Sequence, residues 1–416
     1  MDESAMGNGL TRRQVLWRAG ALGCSAAASP LLTPLSFASA PWDNRLVAII
    51  LRGGMDGLDI CRPVGDSEFA GLRPGLSEGG VPLDGFFELH PDLADLEPLW
   101  QAQELAFVHA TSTPYRDKRS HFDGQDLLEA GTAALGSSVG RDGWLNRMLA
   151  EVPGAVAETA YAIGREEMLL MAGAAPVSGW WPDLDITLSA QGLRLLEATL
   201  RDDPAMAEAM AQAVLLADSD GSGVIADSDA PGAAMTAMTG DMQAATSGKP
   251  GQAHLRIAEF TARKLREETR VAAFSLSGWD SHSNQAQSLR RPLRQLSQVL
   301  NGLRDGLGPN VWGKTTVIAM TEFGRTARIN GTGGTDHGTG GTMILAGGAL
   351  RGGRVLGHWP GLAEGDLHAR RDLMPTSDVR SWTAWILRES FGLSQERLER
   401  EVFPGLDMGS AQGILR

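Results

Sequence analysis

The sequence predicts an α/β protein with a mainly parallel central sheet and helices on both faces. Three observations predict it. Short continuous apolar runs such as Leu46–Leu51 recur, helical patterns lie between them, and Asp, His, Glu and Arg cluster directly after the runs. A continuous run marks a strand buried on both sides. Strands alternating with helices mark a parallel sheet, and in such sheets chemistry gathers at the strands' carboxyl ends.

The elements follow in chain order. Leu46–Leu51 reads as a buried strand running into the Gly-rich loop Arg52–Gly57. A helix follows at about Leu93–Gln103, then a strand at Leu105–His109, a polar loop, and a helix at about Phe122–Ala130. The stretch 201–250 is rich in Ala, Asp, Met, Ser and Gly with weak periodicity. It reads as a helical, mobile surface insertion within one domain spanning 41–416. Beyond it come a helix at 255–268, a strand at Val271–Leu276 and a helix at 287–303. Strands at Thr316–Met320 and Met343–Ala346 and a helix at 381–389 complete the pattern. There are no internal repeats.

The chain has 416 residues, 43% of them hydrophobic, which suffices for one large core. Its formal net charge is −13, which disfavours binding to nucleic acid or anionic membrane. An anionic substrate would need a metal or a few placed arginines.

The first forty residues read as an address. Thr11-Arg12-Arg13-Gln14-Val15-Leu16 has the form of a twin-arginine motif, and an Ala-rich apolar stretch follows from Ala19. Ala38-Ser39-Ala40 is a cleavage site. Pro41 disfavours cutting directly before it, so cleavage after Ala38 is the alternative. Pro30 and Pro34 interrupt the apolar stretch and argue against a spanning helix. The expectation is a signal peptide over 1–40, recognised by the twin-arginine export machinery. The mature protein would be periplasmic or secreted, with no stable membrane insertion. Removal of Cys24 leaves Cys61 alone, so no intramolecular disulfide is expected.

Four clusters can carry chemistry. Asp56, among glycines after the first strand, can reach a metal closely or cap a helix. In Arg116-Asp117-Lys118-Arg119-Ser120-His121-Phe122, Ser120 opens a helix. It suits a nucleophile with Arg119 or Arg116 binding an anion, or an ordinary N-cap. In Gly278–Gln285, Asp280 and His282 can ligate one metal or two neighbouring ones. After the fourth strand come Glu322 and Arg325, then a Gly-rich loop presenting Asp336-His337. The loop is neither a P-loop nor a dinucleotide fingerprint, and Gly-x-Ser-x-Gly is absent. Trp180-Trp181 and the scattered His90, His109, His254, His358 and His368 read as structural.

LRGGMDGLD, RSHFDGQDLLEAG, GWLNRML, GWDSHSNQ, TEFGRT and NGTGGTDHGTGG, in this order after a twin-arginine start, resemble the DUF1501 family of exported bacterial proteins. That family is placed near the alkaline phosphatase/sulfatase superfamily. The resemblance implies an alkaline-phosphatase-like three-layer sandwich and a metal-centred site for phosphate or sulfate esters. By it, Asp56 resembles the first metal ligand and Ser120 the nucleophile. Asp280 with His282 resembles an Asp/His ligand pair, and His337, with Asp336 beside it, the last histidine ligand. Glu322 stands where an Asp-His pair is usual.

The expected protein is therefore a metal-dependent hydrolase of small-molecule or polymer-borne anionic esters. One or two divalent ions (Zn, Ca, Mg or Mn) would be held by Asp56, Asp280, His282, Glu322, Asp336 and His337. Ser120 or a water would attack, and Arg119 and Arg325 would hold the anion. Two rival expectations are a non-catalytic exported binding or assembly protein, and a carbohydrate-modifying enzyme using Asp280 and Glu322 as a carboxylate pair.

Overall fold

The computed structural model describes residues 42–76, 79–116, 118–134, 142–164, 168–180, 188–189, 225–226 and 252–416. The expected signal peptide, and all of the expected insertion except Ile225–Ala226, lie outside the described residues. Ile225–Ala226 pairs in parallel with Leu188–Ser189.

A nine-stranded sheet organises the rest. In chain order its strands are β1 (Arg45–Arg52), β2 (Leu105–Ser112), β3 (Ala160–Ile163), β4 (Ser178–Trp180), β5 (Val271–Ser277), β6 (Thr315–Met320), β7 (Gly341–Ala346), β8 (Arg354–Leu356) and β9 (Ser377–Asp378). The spatial order is β8-β2-β7-β6-β1-β5-β3-β4, with β9 also on β2. β1 pairs in parallel with both β5 and β6. β7 alone runs antiparallel to its neighbours β6 and β2.

β1 shows why the apolar runs are continuous. Leu46, Ala48 and Ile50 face one core, while Val47, Ile49 and Leu51 face another. Alternate side chains of a strand point to opposite faces, so burial on both faces requires apolar residues at every position. The first core is roofed by α2 (Trp144–Ala150) and α5 (Val379–Phe391), the second by α3 (Ala253–Arg266) and α4 (Arg290–Trp312). This is the expected helix–sheet–helix layering.

Helix ends follow local chemistry. α1 (His121–Ala130) starts at Ser120, whose hydroxyl accepts from the Asp123 N–H, and stops at Gly131 in a left-handed conformation. The helix expected over 93–103 is instead a 3-10 turn, Pro91–Leu96, followed by the short helix Glu97–Gln101 with Pro98 near its start. Proline lacks the N–H that a continuous helix would donate there. Trp180 lies flat on Phe260 at a centroid distance of 3.8 Å and belongs to the packing. Trp181 lies outside the described residues. Among the described residues no helix is long and apolar enough to cross a membrane, and the free Cys61 is buried.

Candidate metal centre

The carboxyl ends of β1, β5 and β6 lie side by side because these strands are adjacent and parallel. Their trailing loops pack almost backbone on backbone. Gly53, at φ +122°, approaches so closely that a Cβ there would sit 2.6 Å from the Asp280 amide nitrogen. A Cβ on Gly334 would come within 2.2 Å of the His282 carbonyl carbon. Glycine is therefore required at both places. The loops after β5 and β6 are stitched together by Thr335 N–H to Ser281 O, Asn284 N–H to Thr332 O, and Gln285 N–H to Gly333 O.

This edge gathers three imidazoles around one carboxylate. Nε2 of His121 lies 3.5 Å from Asp280 Oδ2, while Nε2 of His282 and of His337 lie 3.0 and 3.3 Å from Asp280 Oδ1. The Nε2 atoms of His282 and His337 are 3.0 Å apart. One donor atom each from His121, Asp280 and His337 fits within a 4.8 Å cluster.

Each ring is oriented from behind. His121 donates its Nδ1–H to Glu322 Oε1 at 2.7 Å, His337 to the Arg119 carbonyl at 2.9 Å, and His282 to Asp336 Oδ1 at 3.3 Å. A carbonyl and ionised carboxylates only accept, so each neutral ring presents a bare Nε2 lone pair to the centre. Two lone pairs 3.0 Å apart, beside a carboxylate, call for a proton or a cation between them. His121 Nε2 is itself buried with no hydrogen-bond partner. An outward-facing nitrogen backed by an acceptor on the other nitrogen is how histidine is held for metal ligation.

Charge is graded to match. Desolvation opposes ionisation of Asp280, yet the hydrogen bond and charge of Arg325 and the nearby imidazoles hold its carboxyl below the usual range. The hydrogen bond to Glu322 raises the His121 pKa, while burial lowers that of His337. Glu322 stays ionised despite its burial, through bonds from His121, Gln125 and the Gly53 N–H.

The structure redistributes the remaining sequence-predicted residues. Asp56 is not at the cluster. It is fully buried, bound by Arg73 at 2.6 Å and 3.1 Å and by Gln285 at 2.7 Å. Both its oxygens are engaged by the guanidinium, and its charge is matched there by Arg73. Glu322 is likewise sealed, with Thr321 bonded to its second oxygen, and it serves as the backing of His121. A carboxylate pair of Asp280 and Glu322 across a sugar linkage is thereby ruled out, because substrate cannot reach Glu322. Arg325 is fully buried and spends its guanidinium on Asp280 and Thr335, so it anchors Asp280 and does not grip an anion. Asp336 backs His282 and accepts from Asn330. Ser120 fills the N-cap role, with its own N–H given to the Tyr115 hydroxyl. Arg119 supplies a carbonyl from a left-handed backbone (φ 56°), while its guanidinium lies half-exposed, 3.7 Å from Asp372.

In the sequence His121 has no role of its own because it follows Ser120, whose hydroxyl suits either a nucleophile or an N-cap. The available signal was a histidine on the first helical position after a strand-end loop. Gln285 and Arg73 were missed as well. Gln285 joins Asp56 and Asp59 to Ser281 and Thr335, and so ties the loops after β1, β5 and β6 together.

The family model described as "Protein of unknown function (DUF1501)" matches residues 109–403. No curated protein matches the sequence. Among solved structures, the chain is similar to a protein in the alkaline phosphatase superfamily from Vibrio parahaemolyticus. Identity there is 12% and the TM-score 0.37, over 89% of this chain and 73% of the other. It is also similar to a mutant TAB5 alkaline phosphatase with Mg bound in its M3 site. That match has 11% identity and a TM-score of 0.33, over 74% of this chain and 91% of the other. The family match spans most of the chain and includes every residue of the cluster, and the chain belongs to the DUF1501 family.

Proposed function

We propose that this protein is a metal-dependent hydrolase of phosphate or sulfate esters. One observation carries the reading: His121, Asp280 and His337 bring their donor atoms within 4.8 Å of one another, each imidazole backed by an acceptor. Such a set fits a divalent cation, and two or three imidazoles with one carboxylate favour zinc over magnesium or calcium. When bound there, the cation would polarise an ester oxygen and absorb the charge developing on it. His282, 3.0 Å from both His337 and Asp280, offers a further donor.

The chain's own residues hold this arrangement. Glu322 keeps the His121 proton on Nδ1, the Arg119 carbonyl keeps that of His337 on Nδ1, and Arg325 fixes the Asp280 rotamer. The open face leaves room for ester and water, with Asp280 and His282 nearly half exposed. Hydrolysis adds water across the ester bond, releasing an alcohol and the free anion. The half-exposed Arg119 guanidinium is the cation at the rim suited to the anionic group.

The test is turnover of p-nitrophenyl phosphate and p-nitrophenyl sulfate by the zinc-loaded protein, with and without chelator. Release of nitrophenol that the chelator abolishes, and that His337→Ala lowers at least about 100-fold, is expected. Bound zinc without turnover of either ester would reject hydrolysis and favour a non-catalytic metal-binding role. We also propose export through the twin-arginine route, which the Arg12-Arg13 motif supports. Replacing both arginines by lysine is then expected to leave the protein in the cytoplasm on cell fractionation.

A further inference from the structure

Beside the cluster lies a cleft of about 560 Å³ whose lining includes Asp336, the carboxylate behind His282. Its lining includes the apolar Leu72, Leu362 and Leu367 together with charges of both signs. Most of these charges are spent. Arg371 donates to the His337 carbonyl and pairs with Asp372. Asp336 holds His282 and Asn330, and Arg370 faces Glu364. Arg328 is exposed and has no carboxylate within ion-pair distance among the described residues.

Arg328 is presented from a rigid base. Buried Arg73 donates to the carbonyls of Thr326 and Ala327, Ala327 N–H bonds to Arg371 O, and the Arg328 carbonyl accepts from the Thr326 hydroxyl. The backbone is clamped while the guanidinium is free, so binding an anion there costs little ordering beyond the side chain itself. Glu68, the other exposed lining charge without an ion partner among the described residues, stands at the start of the four-residue helix Phe69–Leu72, its N–H bonded to Asp66 and its carbonyl to the Leu72 N–H, and as a carboxylate it would favour a cation.

We propose that the cleft binds the body of the substrate and that Arg328 holds a second anionic group on it. The preferred ester thus has an apolar body with a carboxylate, phosphate or sulfate remote from the reacting end. This inference rests on the metal-centre reading above and deepens it.

The test uses calorimetric titration of the zinc-loaded protein with alkylphosphonates two to six methylenes long, ending in a carboxylate, a methyl or an amino group. At one chain length the carboxylate probe is expected to bind about fivefold more tightly than its methyl analogue. Arg328→Ala should bring it down to the methyl probe's affinity, and Arg328→Lys should restore part of the difference. Equal affinity of carboxylate and methyl probes at every length would overturn the inference. So would tighter binding of the amino probe, or an advantage that survives Arg328→Ala. If the methyl probes bind and the carboxylate brings nothing, the cleft inference alone fails. If no phosphonate binds, the metal-centre reading falls and takes the inference with it.

Discussion

His121, His282 and His337 are held in the same way. Each gives one nitrogen to an acceptor and turns the other toward Asp280. The backing is strongest for His121, whose partner Glu322 is a fully buried carboxylate. Glu322→Gln keeps the size and an accepting oxygen but removes the charge. The expected result is a 10–100-fold weaker zinc affinity, roughly, by competition with a chromogenic chelator. Unchanged affinity would show that His121 needs no such support. At this scale the sequence singled out Asp280 and His282 because they follow a strand directly, and His337 because a Gly-rich loop presents it. It could not rank candidate ligands against the residues behind them. Whether a carboxylate is free or spent depends on partners far along the chain. Arg325 meets Asp280 from 45 residues away, and Gln285 meets Asp56 from 229.

Among the elements, β2 carries a titratable group inside the core. His109 accepts from the Ala110 N–H on Nδ1 and donates Nε2–H to the Cys61 carbonyl. Protonation would set two N–H groups against each other, and burial lowers its pKa to about 4. A histidine whose folded pKa lies below the unfolded value of 6.5 binds its proton only after unfolding. Stability should therefore fall as the pH drops from 6.5 toward 4, by about 3 kcal/mol at the lower limit. Denaturant titrations of the native protein and His109→Gln across that range should differ in slope, the variant being flatter. The end of α1 offers a second check. At Gly131 (φ +65°) a Cβ would lie 2.8 Å from the Trp144 Cβ and 2.9 Å from Phe403. Gly131→Ala should cost at least about 1–2 kcal/mol in a denaturant melt. The strands of the sheet centre were legible because burial on both faces writes an unbroken apolar run. The short strands Ser178–Trp180, Arg354–Leu356 and Ser377–Asp378 carry no such run, and that of Ala160–Ile163 is only four residues long. Nor does any local pattern show that β7 runs antiparallel.

For the whole molecule, the buried pair Asp56–Arg73 bears on stability apart from the proposed metal site. It ties the loop after β1 to the carbonyls of Thr326 and Ala327 and, through Gln285, to the loop after β5. Asp56→Ala leaves an arginine buried without its partner, at a cost of about 3–5 kcal/mol. The folded fraction should still bind zinc with unchanged stoichiometry. Loss of zinc without loss of stability would instead make Asp56 a ligand.

The central claim is that His121, Asp280 and His337 share one cation, and anomalous diffraction from a zinc-soaked crystal tests it most directly. A single strong peak is expected at about 2.0–2.2 Å from Nε2 of His121, Nε2 of His337 and an Asp280 oxygen. A protein that takes up zinc elsewhere, or leaves the space between these three side chains without a peak, would contradict it.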